Sequence, residues 1–417
     1  MPEATVIFSY CAILFWVAWL IKLNTLRNYI KRRKVLSSNS FDGPPPDPPR
    51  VSLLIAAKDE EDNIDACIAS ALALDYPNLE IIAIDDRSTD RTPEILARHA
   101  QEHKDRLRVI TIKQLREGWF GKNNAMHEGA MQSTGEWICM FDADCRQIST
   151  RTMTVAVQDA LEHEVDFLTI TPVLETRTVW EKILMPVCTG ILIMWFRPSR
   201  CNNPRSRTAY ANGAFMMIRR SCYDAIGGHK AVRTEVNEDM LLARRAKQQG
   251  FRLRVVENDD LFVSRMYRSF SEIWRGWSRI YYGSFQSVFL LVAAALISTL
   301  LPLTPWACTV AALFGWLIAG QNDGWGSALI LWLGAAVTMQ LYVAWFYNLL
   351  QADRKWSITY ALGVCCSLGM LISAMLKTVG ATRTTWRGTS YLGSQVVADP
   401  TNPTAGNPTV DEQPIQN

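Results

Sequence analysis

Two carboxylates one residue apart, Asp142 and Asp144, close the apolar run Trp137-Ile138-Cys139-Met140-Phe141. Oxygen donors so spaced can meet a hard divalent cation at the mouth of a sheet, where a substrate phosphate and waters would complete the shell. The same acids can also be ordinary polarity where a buried strand gives way to a loop. Acids recur at two other strand ends: Asp59 and Glu60 follow residues 51–57, and Asp85 and Asp86 follow residues 79–84. Asp86 can accept a hydrogen bond from a base N–H or a ribose hydroxyl, or cap the next helix. Glu238-Asp239 opens a helical pattern ending before Gly250, with Asn237 available as a cap. Acids in that first turn suit the helix macrodipole, and equally suit a general base. Lys122 lies in a Gly-bounded turn, where a cation can approach phosphate or simply be solvated. Asn212-Gly213-Ala214-Phe215 reads as a close-approach turn, or a plain bulge, before Met216-Met217-Ile218.

These residues need a scaffold, and the pattern supplies one. Apolar runs at 51–57, 79–84, 107–111 and 137–141 alternate with helical patterns at 62–74, 92–103 and 127–132. That alternation predicts an α/β body, a parallel sheet with helices on both faces, which binds ligands at the carboxyl ends of its strands.

The chain has 417 residues, 49% hydrophobic and 20% charged, with a net charge of +3. So small a charge gives no argument for nucleic acid. Residues 5–23 are long and apolar enough to cross a bilayer, and Arg27, Lys31, Arg32, Arg33 and Lys34 follow, so the positive-inside rule puts the body in the cytoplasm. No cleavage-site pattern follows, so a retained anchor is expected. Four further spans are expected at about 289–301, 304–319, 328–349 and 358–377; Pro302 and Pro305 also allow the first two to be one kinked helix. Residues 183–196 are apolar but too short to span, which leaves a core helix or an interfacial one. The ten cysteines are scattered without C-x-x-C pairing, which suits buried thiols in a reducing compartment. The expected organisation is an anchor at 1–26, a basic and Pro-rich linker at 27–50, a catalytic domain at 51–285, a transmembrane bundle at 286–380 and a partly disordered cytoplasmic tail at 381–417.

Together the motifs resemble a known family, the family-2 glycosyltransferases of GT-A fold in a membrane-anchored form. Ile84-Asp85-Asp86-Arg87-Ser88-Thr89-Asp90-Arg91-Thr92 looks like its D-D-x-S-x-D-x-T segment. Gly118-Trp119-Phe120-Gly121-Lys122 resembles the G-W-x-G-K element of lipid-glycosylating members, including carotenoid- and hopanoid-associated enzymes. Asp142-Ala143-Asp144 is similar to the D-x-D metal motif, and Glu238-Asp239 to the E-D catalytic pair.

The resemblance implies a doubly wound, mostly parallel GT-A sheet with transmembrane helices at both ends. It implies that Ala57, Lys58, Asp59, Asp86, Lys122, Asp142, Asn212 and Gly213 hold a nucleotide-sugar donor, with Asp86 on a uracil. Asp144, with Asp142, would bind Mg²⁺ or Mn²⁺, and Asp239 beside Glu238 would be the base of an inverting transfer to a membrane lipid. Processive synthases carry Q-x-x-R-W after the E-D pair; here Ile273 and Gly276 replace Gln and Arg, and only Trp277 remains. Arg275, Trp277 and Arg279 are therefore assigned to an acceptor or diphosphate region, with an interfacial structural role as the alternative. The expected location is the cell membrane, a bacterial inner membrane, as a multi-pass protein. The rival readings are a processive polysaccharide synthase and a membrane sensor or transporter with a catalytically silent nucleotide-binding domain. No G-x-G-x-x-G follows the first strand, which disfavours a dinucleotide dehydrogenase.

Overall fold

The computed structural model describes residues 3–319, 324–381, 384–386, 389–392 and 395–398. It divides into two compact units. The sheet unit comprises Gly43–Thr169, Ala211–Leu253 and the described residues from Leu376 on, and the helical unit comprises the remainder.

In the sheet unit, β1 (Val51–Ala57) reads VSLLIAA and is buried nearly throughout. Such a strand needs cover on both faces, and it lies between β2 (Leu79–Asp86) and β4 (Trp137–Asp142), parallel to each. The outer strand β3 (Leu107–Ile112) pairs parallel with β2. Strand β6 (Phe215–Arg219) is antiparallel to β4 and to Phe167–Thr169 of β5 (Phe167–Thr171), giving the order β5-β6-β4-β1-β2-β3. The expected parallel sheet is thus mostly parallel, with one reversed strand.

The connecting helices follow their apolar spacing. Helix α1 (Ile64–Leu72) buries Ile64, Cys67, Ile68, Ala71 and Leu72, one face of a 3.6-residue repeat. Helix α2 (Thr92–Glu102) starts with a proline in its first turn, where the missing N–H costs nothing. Helix α3 (Gly121–Gln132) starts six residues earlier than the apolar pattern indicates, because the polar Asn123 and Asn124 are buried at its start. Helices α4 (Thr152–Glu162) and α5 (Glu238–Gln248) complete the layers relevant to the site.

Among the described residues, five helical stretches are long and apolar enough to cross a membrane, nearly all of their length in the helical unit: Glu3–Lys31, Val179–Cys201, Val288–Ile318, Trp325–Leu349 and Arg354–Thr378. Several expectations change here. The spans at 289–301 and 304–319 are one helix, Val288–Ala319, with Pro302 and Pro305 inside it. Threonine hydroxyls bond carbonyls beside these prolines, Thr304 to Leu300 and Thr309 to Pro305. The segment expected to be too short becomes Val179–Trp195, because Thr178 and Glu181 form a capping box upstream of the apolar run. The first helix runs to Arg32, past the expected linker boundary, since basic residues do not end a helix. Residues 170–210 and 254–285, expected within the catalytic domain, group with the helical unit.

Of the expected disordered tail, Thr384–Trp386, Thr389–Leu392 and Gln395–Ala398 form a small antiparallel sheet; residues 399–417 lie outside the described residues.

Gly135 tests the sheet's packing. A Cβ there would lie 2.6 Å from the Ser52 backbone nitrogen and 2.7 Å from the Trp137 carbonyl, both rigid neighbours. Gly135→Ala is expected to destabilise the protein by roughly 1–3 kcal/mol through overpacking. A denaturant midpoint equal to wild type would contradict this reading of the β1–β4 junction.

Candidate active site

The sheet's register decides which residues meet. Ala57 is paired with Asp85, and Ala56 with Asp142, so three parallel strands deliver their carboxyl-end acids to one edge. Because β6 runs the other way, with Phe215 opposite Phe141, the turn at Asn212-Gly213 arrives at that same edge. Helices α3 and α5 bring in their first turns, with Lys122 and with Glu238-Asp239.

Lys122 stands at the centre. Its Nζ lies 2.8 Å from Asp142 Oδ1 and 2.9 Å from Glu238 Oε1. Gly213 packs against this group so closely that a Cβ would fall 2.9 Å from Lys122 Nζ, 3.4 Å from Asp142 Oδ2 and 3.7 Å from Asp239 Oδ2. The Gly213 N–H donates to Asp239 Oδ2 at 3.0 Å, and the Met240 N–H to Asp239 Oδ1 at 2.7 Å. Asn212 shapes the turn: its Oδ1 accepts from Ala214 N at 3.0 Å, and its N–H donates to Thr169 Oγ1 at 3.0 Å.

The electrostatics follow from crowding. Burial pulls the Lys122 ammonium down, but Asp142, Glu238 and Asp239 outweigh it and hold its pKa well above the usual lysine value. Asp239 is pushed up to about 7 by burial and by Glu238, against the opposing pull of Lys122 and the two backbone donors. Asp144 is also pushed up to about 7, by burial, Asp142 and Glu60. Within the cluster one ammonium, Lys122, faces the carboxylates of Asp142, Glu238 and Asp239. The donor set fits a hard divalent cation: carboxylate oxygens of Asp142 and Asp144, with Glu60 close enough to raise Asp144. The neighbouring Cys67 thiol is held well above its ordinary value by burial and by these same acids, so it offers no thiolate. His229 is buried and pushed down to about 3, by burial first and then by Lys122, and stays neutral with Nδ1 2.9 Å from the Tyr223 hydroxyl.

The expected base-binding edge is internally satisfied. Asp86 is buried, and its two carboxylate oxygens accept from Arg87 Nε at 2.8 Å and Nη2 at 3.1 Å. A direct bond from a base to Asp86 would therefore share oxygens with a guanidinium. Lys58 Nζ donates to the Arg87 carbonyl at 3.1 Å, and Asp59 accepts from the Thr89 N–H at 2.8 Å. Asp59 and Arg87 both hold left-handed backbone, φ 52° and 58°, sparsely populated for such residues and thus imposed by this knot of contacts.

Trp277, expected to meet sugar or an interface, is instead a core residue of the helical unit. It is 3% exposed, its Nε1 points to Met185 Sδ at 3.3 Å, and its ring packs 5.6 Å from Tyr281. It lies on the amphipathic helix Phe270–Phe285, whose buried stripe also includes Ile273 and Tyr281. Arg275 on that helix is exposed and Arg279 half-exposed.

The motif reading missed Asn123. Fully buried beside Lys122, it donates from Nδ2 to the carbonyls of Val232 at 2.7 Å and Glu235 at 2.9 Å, while the Phe120 N–H donates to Arg233 O at 2.7 Å. These bonds tie the start of α3 to the strand of chain leading into α5, and so set Lys122 against Glu238. The available signal was a buried-facing asparagine in an otherwise helical run.

Residues 52–227 match the family model described as Glycosyl transferase family 2. The chain is similar to the beta-monoglucosyldiacylglycerol synthase of Nostoc sp., 33% identical over 184 residues, which cover 43% of this chain and 38% of that protein. It is also similar to the poly-beta-1,6-N-acetyl-D-glucosamine synthase of Staphylococcus epidermidis, 33% identical over 94 residues covering 22% and 21%. The chain thus spans less than two-fifths of the length of these relatives. Among solved structures, the mannosyltransferase PcManGT from Pyrobaculum calidifontis, in complex with GDP-Man and Mn²⁺, shares the fold with a TM-score of 0.53 at 19% identity, over 90% of this chain and 99% of that one.

Gly213→Ala is expected to displace the Lys122 ammonium and lower turnover at least tenfold, a loss of about 1.4 kcal/mol of transition-state stabilisation, with little change in thermal stability. Steady-state kinetics beside a melting curve check this; full activity would mean the contact does not matter.

Proposed function

Residues 52–227 of this chain are a family-2 glycosyltransferase domain, and from that premise we propose an inverting transfer of sugar from a nucleotide-diphospho-sugar to a hydroxyl of a membrane lipid. One observation carries the reading: Lys122 joins the strand-end Asp142 to the helix-start Glu238, with Asp239 held one hydrogen bond away on Gly213. Donor-side and acceptor-side groups are thereby fixed in one cluster.

In this reading Asp142 and Asp144 hold Mg²⁺ or Mn²⁺, which when bound supplies Lewis-acid stabilisation of the departing diphosphate. Lys122 turns its ammonium to the diphosphate as the donor arrives, adding charge compensation and releasing part of its hold on Glu238. Ala57, Lys58 and Asp59 line the nucleoside side with Asp86, whose Arg87 partner shapes that wall. Asn212 and Gly213 leave room for the sugar. Asp239 accepts the proton of the acceptor hydroxyl as the oxygen forms its bond to the anomeric carbon. The bond to the diphosphate breaks from the opposite face, so configuration inverts. A carboxylate with a pKa near 7 is well matched to this task.

The lipid acceptor is supported by the apolar helices and by the name of the glucosyldiacylglycerol relative. The uridine base rests on the motif resemblance alone. Similarity to a polysaccharide synthase supports a polymer as second reading. Ile273 and Gly276 in place of the Q-x-x-R-W glutamine and arginine, and the burial of Trp277, weigh against it.

Asp239→Asn is expected to lower kcat by about 10²- to 10⁴-fold while leaving nucleotide-diphosphate affinity near wild type. Wild-type turnover in that variant would remove Asp239 as the base. In the native protein the active form is the deprotonated one, so kcat should rise about tenfold per pH unit below about 7 and level off above it. The rising limb should be missing from the residual activity of Asp239→Asn; its persistence would assign the titration to another group.

A further inference from the structure

At the C-terminal end of the first helix the helical unit forms an open cavity of about 370 Å³ that takes no part in the chemistry above. Its lining includes Arg33, Lys34 and Arg254 against a single acid, Glu257, with Asn28 and Ser199 as further donors. Glu257 is already met: Arg33 Nη1 lies 2.7 Å from its Oε2, and the Tyr29 hydroxyl donates to its Oε1. Three basic residues against one acid give the lining a net positive charge.

Its depth along the helix is informative. The outward apolar residues Ile7, Leu14, Leu20 and Ile21 are exposed, and exposed apolar surface on a helix this long fits acyl chains. Beyond Ile21 the helix mixes Leu23 and Leu26 with the polar Lys22, Asn24, Thr25 and Arg27, and Lys22 lies over the Trp19 ring at 5.7 Å, a pairing typical of a membrane interface. Asn28, the first cavity residue, is seven residues past Ile21, about 10 Å along the axis, which is headgroup depth.

We propose that this cavity binds the phosphate of an anionic phospholipid headgroup, with Lys34 and Arg254 supplying charge-assisted bonds and Asn28 and Ser199 neutral ones. Basic pockets at this level take anionic headgroups because the membrane surface already concentrates them. A zwitterionic lipid brings its own ammonium and gains less. The proposal rests on the reading that Glu3–Lys31 lies in the bilayer, and it stands apart from the transfer reaction.

The test uses the full chain purified in a neutral detergent and titrated with short-chain phosphatidylglycerol, short-chain phosphatidylcholine and inorganic phosphate, with adducts counted by native mass spectrometry. Phosphatidylglycerol should occupy one site at a concentration at least tenfold lower than either other probe. The exposed Lys34→Ala combined with Arg254→Ala should remove that preference, whereas Lys34→Arg should keep it. Equal occupancy by both lipids, or a preference surviving the double substitution, would overturn the proposal. Inorganic phosphate binding as well as phosphatidylglycerol would overturn the lipid assignment. Extraction without detergent would instead defeat the bilayer reading, so the two failures are told apart.

Discussion

The site depends on a charge balance around one ammonium. Lys122 is held between Asp142 and Glu238 at hydrogen-bond distance, with Asp239 near enough to add to its field. The Lys122–Asp142 pair is only partly shielded from solvent, yet withdrawing either member leaves the other facing uncompensated charge, so each charge constrains the others. The strands, the turn at Gly213 and both helix starts have to arrive together for this cluster to exist. Their register, Ala56 with Asp142 and Phe141 with Phe215, is set far from the chemistry by ordinary apolar packing.

The balance is incomplete in a useful direction. Glu60, Asp142 and Asp144 push on one another, and Lys122 compensates only part of that repulsion. A site built this way favours a ligand that brings positive charge. It also keeps Asp239 near neutrality in its affinity for protons, because Glu238 beside it opposes ionisation while Lys122 and two backbone N–H groups support it.

Much of the fold was legible because buried parallel strands read as unbroken apolar runs: residues 51–57, 79–84, 107–111 and 137–141 all became strands. The motif residues Lys122, Asp142, Gly213, Glu238 and Asp239 do meet, which order and spacing alone suggested but could not demonstrate. Boundaries were hidden where polar residues are buried. Asn123 disguised the start of α3, and Thr178 with Glu181 extended a helix beyond its apolar core. The aromatic character of Trp277 suggested a sugar platform, yet its neighbours on the same helical stripe, Ile273 and Tyr281, draw it into the interior. Asp86 looked available from sequence because its partner is the very next residue, and a side chain folding back along its own chain leaves no spacing signal.

Metal-dependent capture of the diphosphate is the central claim, and calorimetric titration of UDP into the purified full chain measures it directly. With Mn²⁺ present, binding should be at least tenfold tighter than in chelator, and Asp144→Ala should abolish that difference. Equal affinity with and without the metal, in a protein that still transfers sugar, would contradict the account.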